Sequence, residues 1–247
     1  MIGLALGLLT TLGRGATADA AWPPFLPPPQ SFSADVATTV ERTWSGVTFS
    51  RTVAGRPARA PFALYAALID APDVTAAAAR FRGLASDEVR ALGEDWYEAN
   101  DGDGSRGEYR VLVKEPRRRV VLSWGEHSGA LIGAIRGSAL TILSFEPRGE
   151  EIEQALTAHV RIDNALAAAL ARVLVVVFGR LADRRLRAGF ESAARVAEWV
   201  GERPAEFCEW LSRAPVPPER RSAVLSALPV CGKSALPRRL ASGEPPA

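Results

Sequence analysis

The chain has 247 residues, of which 47% are hydrophobic and 23% charged, enough for one large domain or two small ones. Its 30 Lys and Arg against 28 Asp and Glu leave a formal charge of +2, which excludes a strongly basic nucleic-acid binder and an acidic solvating tail. Lys114 and Lys233 are the lysines, so the positive charge is carried almost wholly by arginines scattered through an alanine-rich chain. A four-ligand zinc site would need His127, His159, Cys208 and Cys231 together, and these lack the close paired spacing of such sites. Neither a metal nor a cofactor is expected.

Residues Ile2 to Leu12 form an apolar run of secretory-signal length, too short to span a membrane. Ala18-Asp19-Ala20 then places small residues where a signal peptidase reads them, so residues 1–20 are expected to be a signal peptide and the protein exported, periplasmic or extracellular. No basic residue precedes the run, and a buried N-terminal helix is the alternative. From Trp22 to Pro29, five prolines in eight residues predict an extended spacer over 21–30. Residues 31–200 follow as the main domain and 201–247 as a C-terminal extension.

Trp44 to Val53 reads as a strand, Pro61 to Ile69 as an apolar helix, and Pro72 opens an alanine-rich helix to Arg82. Ser86 is placed to cap a short helix over Val89 and Leu92. Asn100 to Ser105 (NDGDGS) is turn chemistry. Beyond it, strand-like runs recur over Tyr109 to Val113, Val120 to Trp124, Ser138 to Phe145 and Ile152 to Ile162. In the last run Ile152, Leu156, Ala158, Val160 and Ile162 share one face, while Thr157, His159, Arg161 and Asp163 share the other. Such a series predicts an antiparallel meander with one buried face. A helix is predicted from Asn164 to Val200, apolar almost all round in its first half. It would be about 55 Å long at 1.5 Å per residue, with Gly179 or Gly189 as places to bend. A membrane span is the alternative for that first half, but its apolar stretch is short and Arg172 interrupts it. Trp210 lies in a short amphipathic segment and Ser222 to Leu228 in another short helix.

A one-faced sheet must bury its apolar side, and the long C-terminal helix is the element able to cover it. With YAALIDAPDVTAAAARF as a helical insertion, the strands GEYRVLV, RVVLSW, ALTILSF and ALTAHVRI, and a helix opening at DNALAAAL, residues 44–200 resemble the START-like, or polyketide cyclase-like, helix-grip superfamily. The resemblance implies an α+β fold in which a curved antiparallel sheet grips the C-terminal helix. It also implies a cavity for a lipid, sterol, polyketide or other apolar ligand, with cyclisation or hydrolysis in a minority of members.

The chemistry-bearing residues are few. Trp96, Tyr97 and Trp124 lie beside strand ends, and Arg136 stands in the small, apolar stretch GALIGAIRGSAL, where it could orient a carboxylate or phosphate head group. They are the candidate ligand-binding residues; packing aromatics and a surface arginine are the plain alternative. His159, Arg161 and Asp163 share a strand face, but the face opposite the apolar one, expected to meet water. Glu126-His127 follows a strand with no nucleophile evident nearby. An EF-hand loop starting at Asp101 would need Glu where Leu112 stands. Gly102 to Ser105 lacks the lysine of a phosphate loop, and no Ser-His-Asp elbow is present. Cys208 and Cys231 fit a structural disulfide, which closes a loop for about 3 kcal/mol in the loop-entropy model; two separate buried thiols remain the other reading.

Three functions follow from these features: an exported binder of a hydrophobic or lipid-like small molecule, a cyclase or hydrolase of the same fold using His127 or His159, or a cell-envelope interaction protein without a ligand. No nucleic-acid partner is expected. Peripheral membrane contact is possible through the arginines between Arg180 and Arg187.

Overall fold

The computed structural model describes residues 22–129, 133–164, 189, 191–228 and 231. The segment 1–20 expected as a signal peptide, the apolar stretch Val173 to Phe178 of the predicted helix, the arginines from Arg180 to Arg187 and the extreme C-terminus lie outside them. Among the described residues no single helix is long and apolar enough to cross a membrane.

The chain forms one seven-stranded, wholly antiparallel, curved sheet with helices packed on it, an α+β fold. The strands are β1 (Phe49–Ala54), β2 (Glu88–Gly93), β3 (Trp96–Asn100), β4 (Ser105–Glu115), β5 (Arg118–Gly129), β6 (Gly133–Arg148) and β7 (Glu151–Ile162). Their order is β1-β7-β6-β5-β4-β3-β2, so β2 to β7 form a meander and the first strand closes against the last, Phe49 opposite Val160. The turn at Asn100 to Ser105 joins β3 to β4. Gly102 and Gly104 take positive φ there, and Asp101 Oδ1 accepts from the Ser105 amide at 2.8 Å.

The strand interiors explain the curvature. Ala99, Gly107, Gly125, Gly137 and Ile162 face one another in register across β3 to β7. A Cβ at Gly107 would come within 2.4 Å of the Trp124 carbonyl, and one at Gly125 within 2.4 Å of the Arg106 carbonyl. Backbones this close admit only glycine, and a row of such residues lets the sheet bend. A bulge in β4 between Val111 and Val113 adds to it, sending Val111 to the face of Val121 and Val113 to that of Val120.

Both faces are covered. On the outer face lies α1 (Ala34–Ser45), whose Val36 and Val40 pack with Val120, Leu122 and Leu140, and whose Thr43 hydroxyl bonds Ser138 Oγ at 2.8 Å. The strand expected from Trp44 therefore begins only at Phe49. Val36, Val40 and Thr43 at helical spacing place Trp44 in the last turn of a helix. The proline-rich stretch, expected as a stand-off spacer, folds onto this layer. Leu26 is buried against α1, and the Trp22 indole donates to the Pro27 carbonyl at 2.7 Å. Its Trp22, Phe25 and Leu26 supply apolar area, and a proline-stiffened chain loses little entropy in placing it.

On the inner face lie α2 (Phe62–Asp70), α3 (Pro72–Phe81), the helix over residues 191–202 (α4), α5 (Pro204–Arg213) and α6 (Pro218–Ala227). Residues 191–202 are the described end of the predicted C-terminal helix, and their Ala194, Val196, Ala197 and Val200 join Phe145 and Ile152 in one core. Ser86 does not open a helix. Val89 and Ala91 alternate with Arg90, and pairing with β3 makes this segment β2, where Arg90 meets Glu98 across the strands at 2.7 Å. Cys208 and Cys231 are joined in a disulfide with Cα atoms 5.4 Å apart, tying α5 to the residues after α6.

Candidate functional site

One end of the inner face is filled and the other is hollow. At the filled end the Tyr65 hydroxyl donates to Gln154 Oε1, Gln154 Nε2 donates to the Arg56 carbonyl, and Phe145 packs edge-on to Tyr65 with ring centroids 5.6 Å apart. Burial pushes the Tyr65 hydroxyl pKa well above the ordinary tyrosine range, so this buried chain of hydrogen bonds stays neutral. At the hollow end a cavity of about 790 Å³ lies between the strands, α2, α3 and the start of α4 at Ser192 and Ala193. Its apolar lining includes Leu68, Val89, Val111, Val121, Val160 and Ile162. Small residues leave the space: alternation along β5 turns Val121, Ser123, Gly125 and His127 inward and Val120, Leu122, Trp124 and Glu126 outward.

Three polar groups lie at or near the cavity. Arg119, with only 6% of its surface exposed, donates through Nε and Nη2 to both carboxylate oxygens of Asp70 at 2.7 and 2.9 Å. Its Nη1 donates to the carbonyls of Glu115 and Arg118, and its guanidinium lies 5.2 Å from the Phe145 ring centre. The charge is thus neutralised in place. A second group lies on the inner face beside the cavity, where Arg220 of α6 forks onto buried Asp73 of α3 at 2.7 and 3.0 Å and donates to the Tyr97 hydroxyl at 3.1 Å. The Asp73 carboxylate holds the Arg220 pKa above its ordinary value. Tyr97 stacks on Tyr109, centroids 5.1 Å apart, and Tyr109 lines the cavity. Third, at the rim, Ser105 Oγ and His127 Nδ1 are 2.9 Å apart.

The residues singled out from the sequence are not brought together. Trp96 is on the outer face, where its indole donates to Glu108 at 2.8 Å and its ring carries the Arg110 guanidinium at 4.5 Å. Tyr97 is buried between Tyr109 and Arg220. Trp124 packs its side chain into the outer cluster under α1. Arg136 faces outward and, with Arg106, grips Glu126 at 3.3 and 2.6 Å; hydrogen bonds from Arg106 first and Arg136 second hold the Glu126 pKa below the usual carboxylate range. The face of His159 does not simply meet water. The ring stacks on Phe25 and meets Trp44 edge-on at 5.0 Å, and Arg161 donates to the Arg42 carbonyl at 2.6 Å, because α1 and the proline-rich stretch cover that side. Tyr109, Ser123 and the Asp70–Arg119 pair were not singled out. The signal for the first two is the alternation of large and small residues along β5, which assigns Ser123 and its register partner Tyr109 to the roomier face.

No protein-family model and no curated protein matches the chain. Solved structures are similar to it. A conserved protein from Geobacillus kaustophilus is 16% identical with a TM-score of 0.40, the match covering 61% of this chain and 93% of that one. A putative uncharacterized protein from Rhizobium leguminosarum is 15% identical with a TM-score of 0.38, over 63% and 96% of the two chains. The di-domain ARO/CYC StfQ from the steffimycin biosynthetic pathway is 14% identical with a TM-score of 0.38, over 69% and 57%. The class that the fold and site define is an α+β protein whose antiparallel sheet and helices border an inner cavity.

Proposed function

We propose that the chain is an exported helix-grip protein that binds an apolar or amphipathic, lipid-like small molecule in the inner cavity. The cavity carries this reading: about 790 Å³ in volume and walled mainly by aliphatic side chains, it falls within the roughly 300–1,000 Å³ typical of small-molecule sites. A void this large in a core costs dispersion contacts, and an apolar guest restores them. Export rests on the apolar run and Ala18-Asp19-Ala20, and the Cys208–Cys231 bond suits an oxidising compartment. Residues 1–20 act as the signal peptide, 31–200 as the binding domain and 201–247 as an extension clamped by the disulfide.

The test is solvent extraction of the purified protein followed by mass spectrometry, with titration by an environment-sensitive fluorescent lipid probe. A co-purifying apolar molecule or saturable probe binding is expected; an empty extract with no probe binding overturns the reading. Sequencing the N-terminus of the exported protein is expected to start at Ala21.

A second reading, a cyclase- or hydrolase-type reaction in the same cavity, is favoured by one observation. His127 lies on the cavity side bonded to Ser105, whereas His159 is on the opposite face. A proton taken from Ser105 or from a ligand hydroxyl would pass to the imidazole. Loss of turnover in His127→Gln with ligand binding intact supports it; unchanged turnover ends it.

A further inference from the structure

We infer that the molecule held in the cavity is uncharged and carries a hydrogen-bond acceptor, a carbonyl or ether oxygen, received by the Tyr109 hydroxyl with Ser123 beside it. This rests on the ligand-binding reading above and names the chemistry of its ligand.

Tyr109 and Ser123 are direct partners in the β4–β5 register, and both line the cavity. Opposed residues on one face of an antiparallel pair have Cβ atoms about 5 Å apart, so the two hydroxyl-bearing side chains form a single polar patch. Around it stand Val111, Val121 and Val160, which offer a ligand no hydrogen bond. The Tyr109 hydroxyl makes no hydrogen bond with any described residue, although Tyr97 stacked beside it is held by Arg220. Ser123 Oγ reaches the Ala139 carbonyl only at 3.5 Å, which leaves its lone pairs unused. Burial pushes the Tyr109 pKa up, so the phenol keeps its proton and serves as a donor at any physiological pH. A donor that opens on a cavity walled by aliphatic side chains has few partners there, and a ligand oxygen placed over it supplies one.

The charges around the cavity argue for a neutral guest. Arg119 spends its donors on Asp70 and on two backbone carbonyls. Arg106, Glu126 and Arg136 border the cavity through their backbones and are paired with one another on the outer face. Arg161, also at the lining, bonds the Arg42 carbonyl and pairs with Asp163, so among the described lining residues each arginine already has a partner. A carboxylate entering would lose its water without gaining a counter-charge.

The test is fluorescence titration of the full chain with three probes of one shape: pyrene, 1-acetylpyrene and 1-pyrenecarboxylate. The neutral ketone is expected to bind about five- to tenfold more tightly than pyrene, the size of one net hydrogen bond, and the carboxylate most weakly. In Tyr109→Phe, which keeps the ring on Tyr97, the ketone falls to the affinity of pyrene while pyrene itself is unchanged. Ser123→Ala, which removes no core packing, narrows the gap about twofold and tests the patch even if the tyrosine variant is unstable. Tightest binding of the carboxylate, or an equal ketone preference in wild type and both variants, overturns the inference while leaving a binding protein. Failure of all three probes overturns the binding reading itself.

Discussion

On the outer face of the sheet Val120, Leu122 and Leu140 meet α1 with nothing between, and all three are fully buried. One position along each strand, Val121, Ser123 and Gly125 turn to the inner face and border a cavity. The two faces share a backbone, a register and a curvature, and differ in side-chain size. The outer face is packed along the strands that α1 covers, whereas the inner face combines the larger core around Tyr65, Phe145 and Phe207 with a cavity at its other end, the place where the proposed guest would be admitted. Thr43 bonded to Ser138 fixes α1 on the first; the row Gly107, Gly125 and Gly137 shapes the second.

The largest effect is expected where the two faces share one residue. Gly125→Val would put a Cβ 2.4 Å from the Arg106 carbonyl and 2.8 Å from the Gly107 Cα, both backbone atoms that cannot step aside. The variant is expected to lose about 3 kcal/mol or more and to fail to give a cooperative thermal transition by circular dichroism. A melt within a few degrees of wild type breaks the claim that close backbones set the curvature. Next comes a matched pair of truncations. Leu140→Ala on the outer face is expected to cost about 2–5 kcal/mol in urea unfolding, since it leaves a void under α1. Val121→Ala, beside existing space, is expected to cost about 1 kcal/mol while changing probe affinity. Equal costs would mean that the inner face is as tightly packed as the outer.

Much of this arrangement was legible in the sequence, and the rest failed for particular physical reasons. The antiparallel runs were readable because Ile152, Ala158, Val160 and Ile162 alternate cleanly with charged and hydroxyl residues, and period two admits one burial pattern. The helix α1 was not, because its Thr38, Thr39 and Thr43 have strand preference, and Trp44 abuts a true strand. Only Val36 and Val40 betray the helical period. β2 was mistaken for a capped helix because a serine before an acidic run is a local signal, whereas pairing with Tyr97 and Glu98 is a tertiary one. Trp96, Tyr97 and Trp124 stand out in the sequence by size, and Arg136 by its charge in a small apolar stretch. Size does not report the face, however: Trp96 and Trp124 fall on the outer side, Tyr97 falls on the inner side but is held by Arg220, and the cavity is bordered by Tyr109 together with small residues such as Ser123 and Gly125.

A smaller effect separates the inner-face helices from the sheet itself. The Cys208–Cys231 bond ties α5 to the chain beyond α6, and α6 carries the Arg220 that holds Asp73 and Tyr97. Replacing both cysteines by serine is expected to lower stability by about 2–3 kcal/mol, the cost of releasing a loop of this size. Hydrogen exchange should rise in α5 and α6 and stay unchanged in α1 and β5. A uniform rise instead would place the extension in the same cooperative unit as the outer layer.

The smallest effect tests the outer cover from its N-terminal side. The His159 ring stacks on Phe25 at 5.6 Å, meets Trp44 edge-on at 5.0 Å and bonds Ser50 Oγ through Nδ1 at 2.8 Å. Burial lowers its pKa below the ordinary 6.5, since a charged imidazole between two aromatic rings gives up part of its hydration. Above 6.5 the ring is neutral both folded and unfolded, and pH leaves stability unchanged. Below that value the unfolded chain takes up a proton that the folded one still refuses, so stability falls with falling pH until the folded pKa is passed, and then levels. Thermal melts between about pH 7.5 and 5 should show this decline, with tryptophan fluorescence reporting early release of Trp22 and Trp44. In His159→Gln, which keeps a polar group facing Ser50 and has no proton to gain, the part of the decline due to this ring should vanish. An identical decline in the variant would mean that the proline-rich stretch is held by its apolar contacts alone.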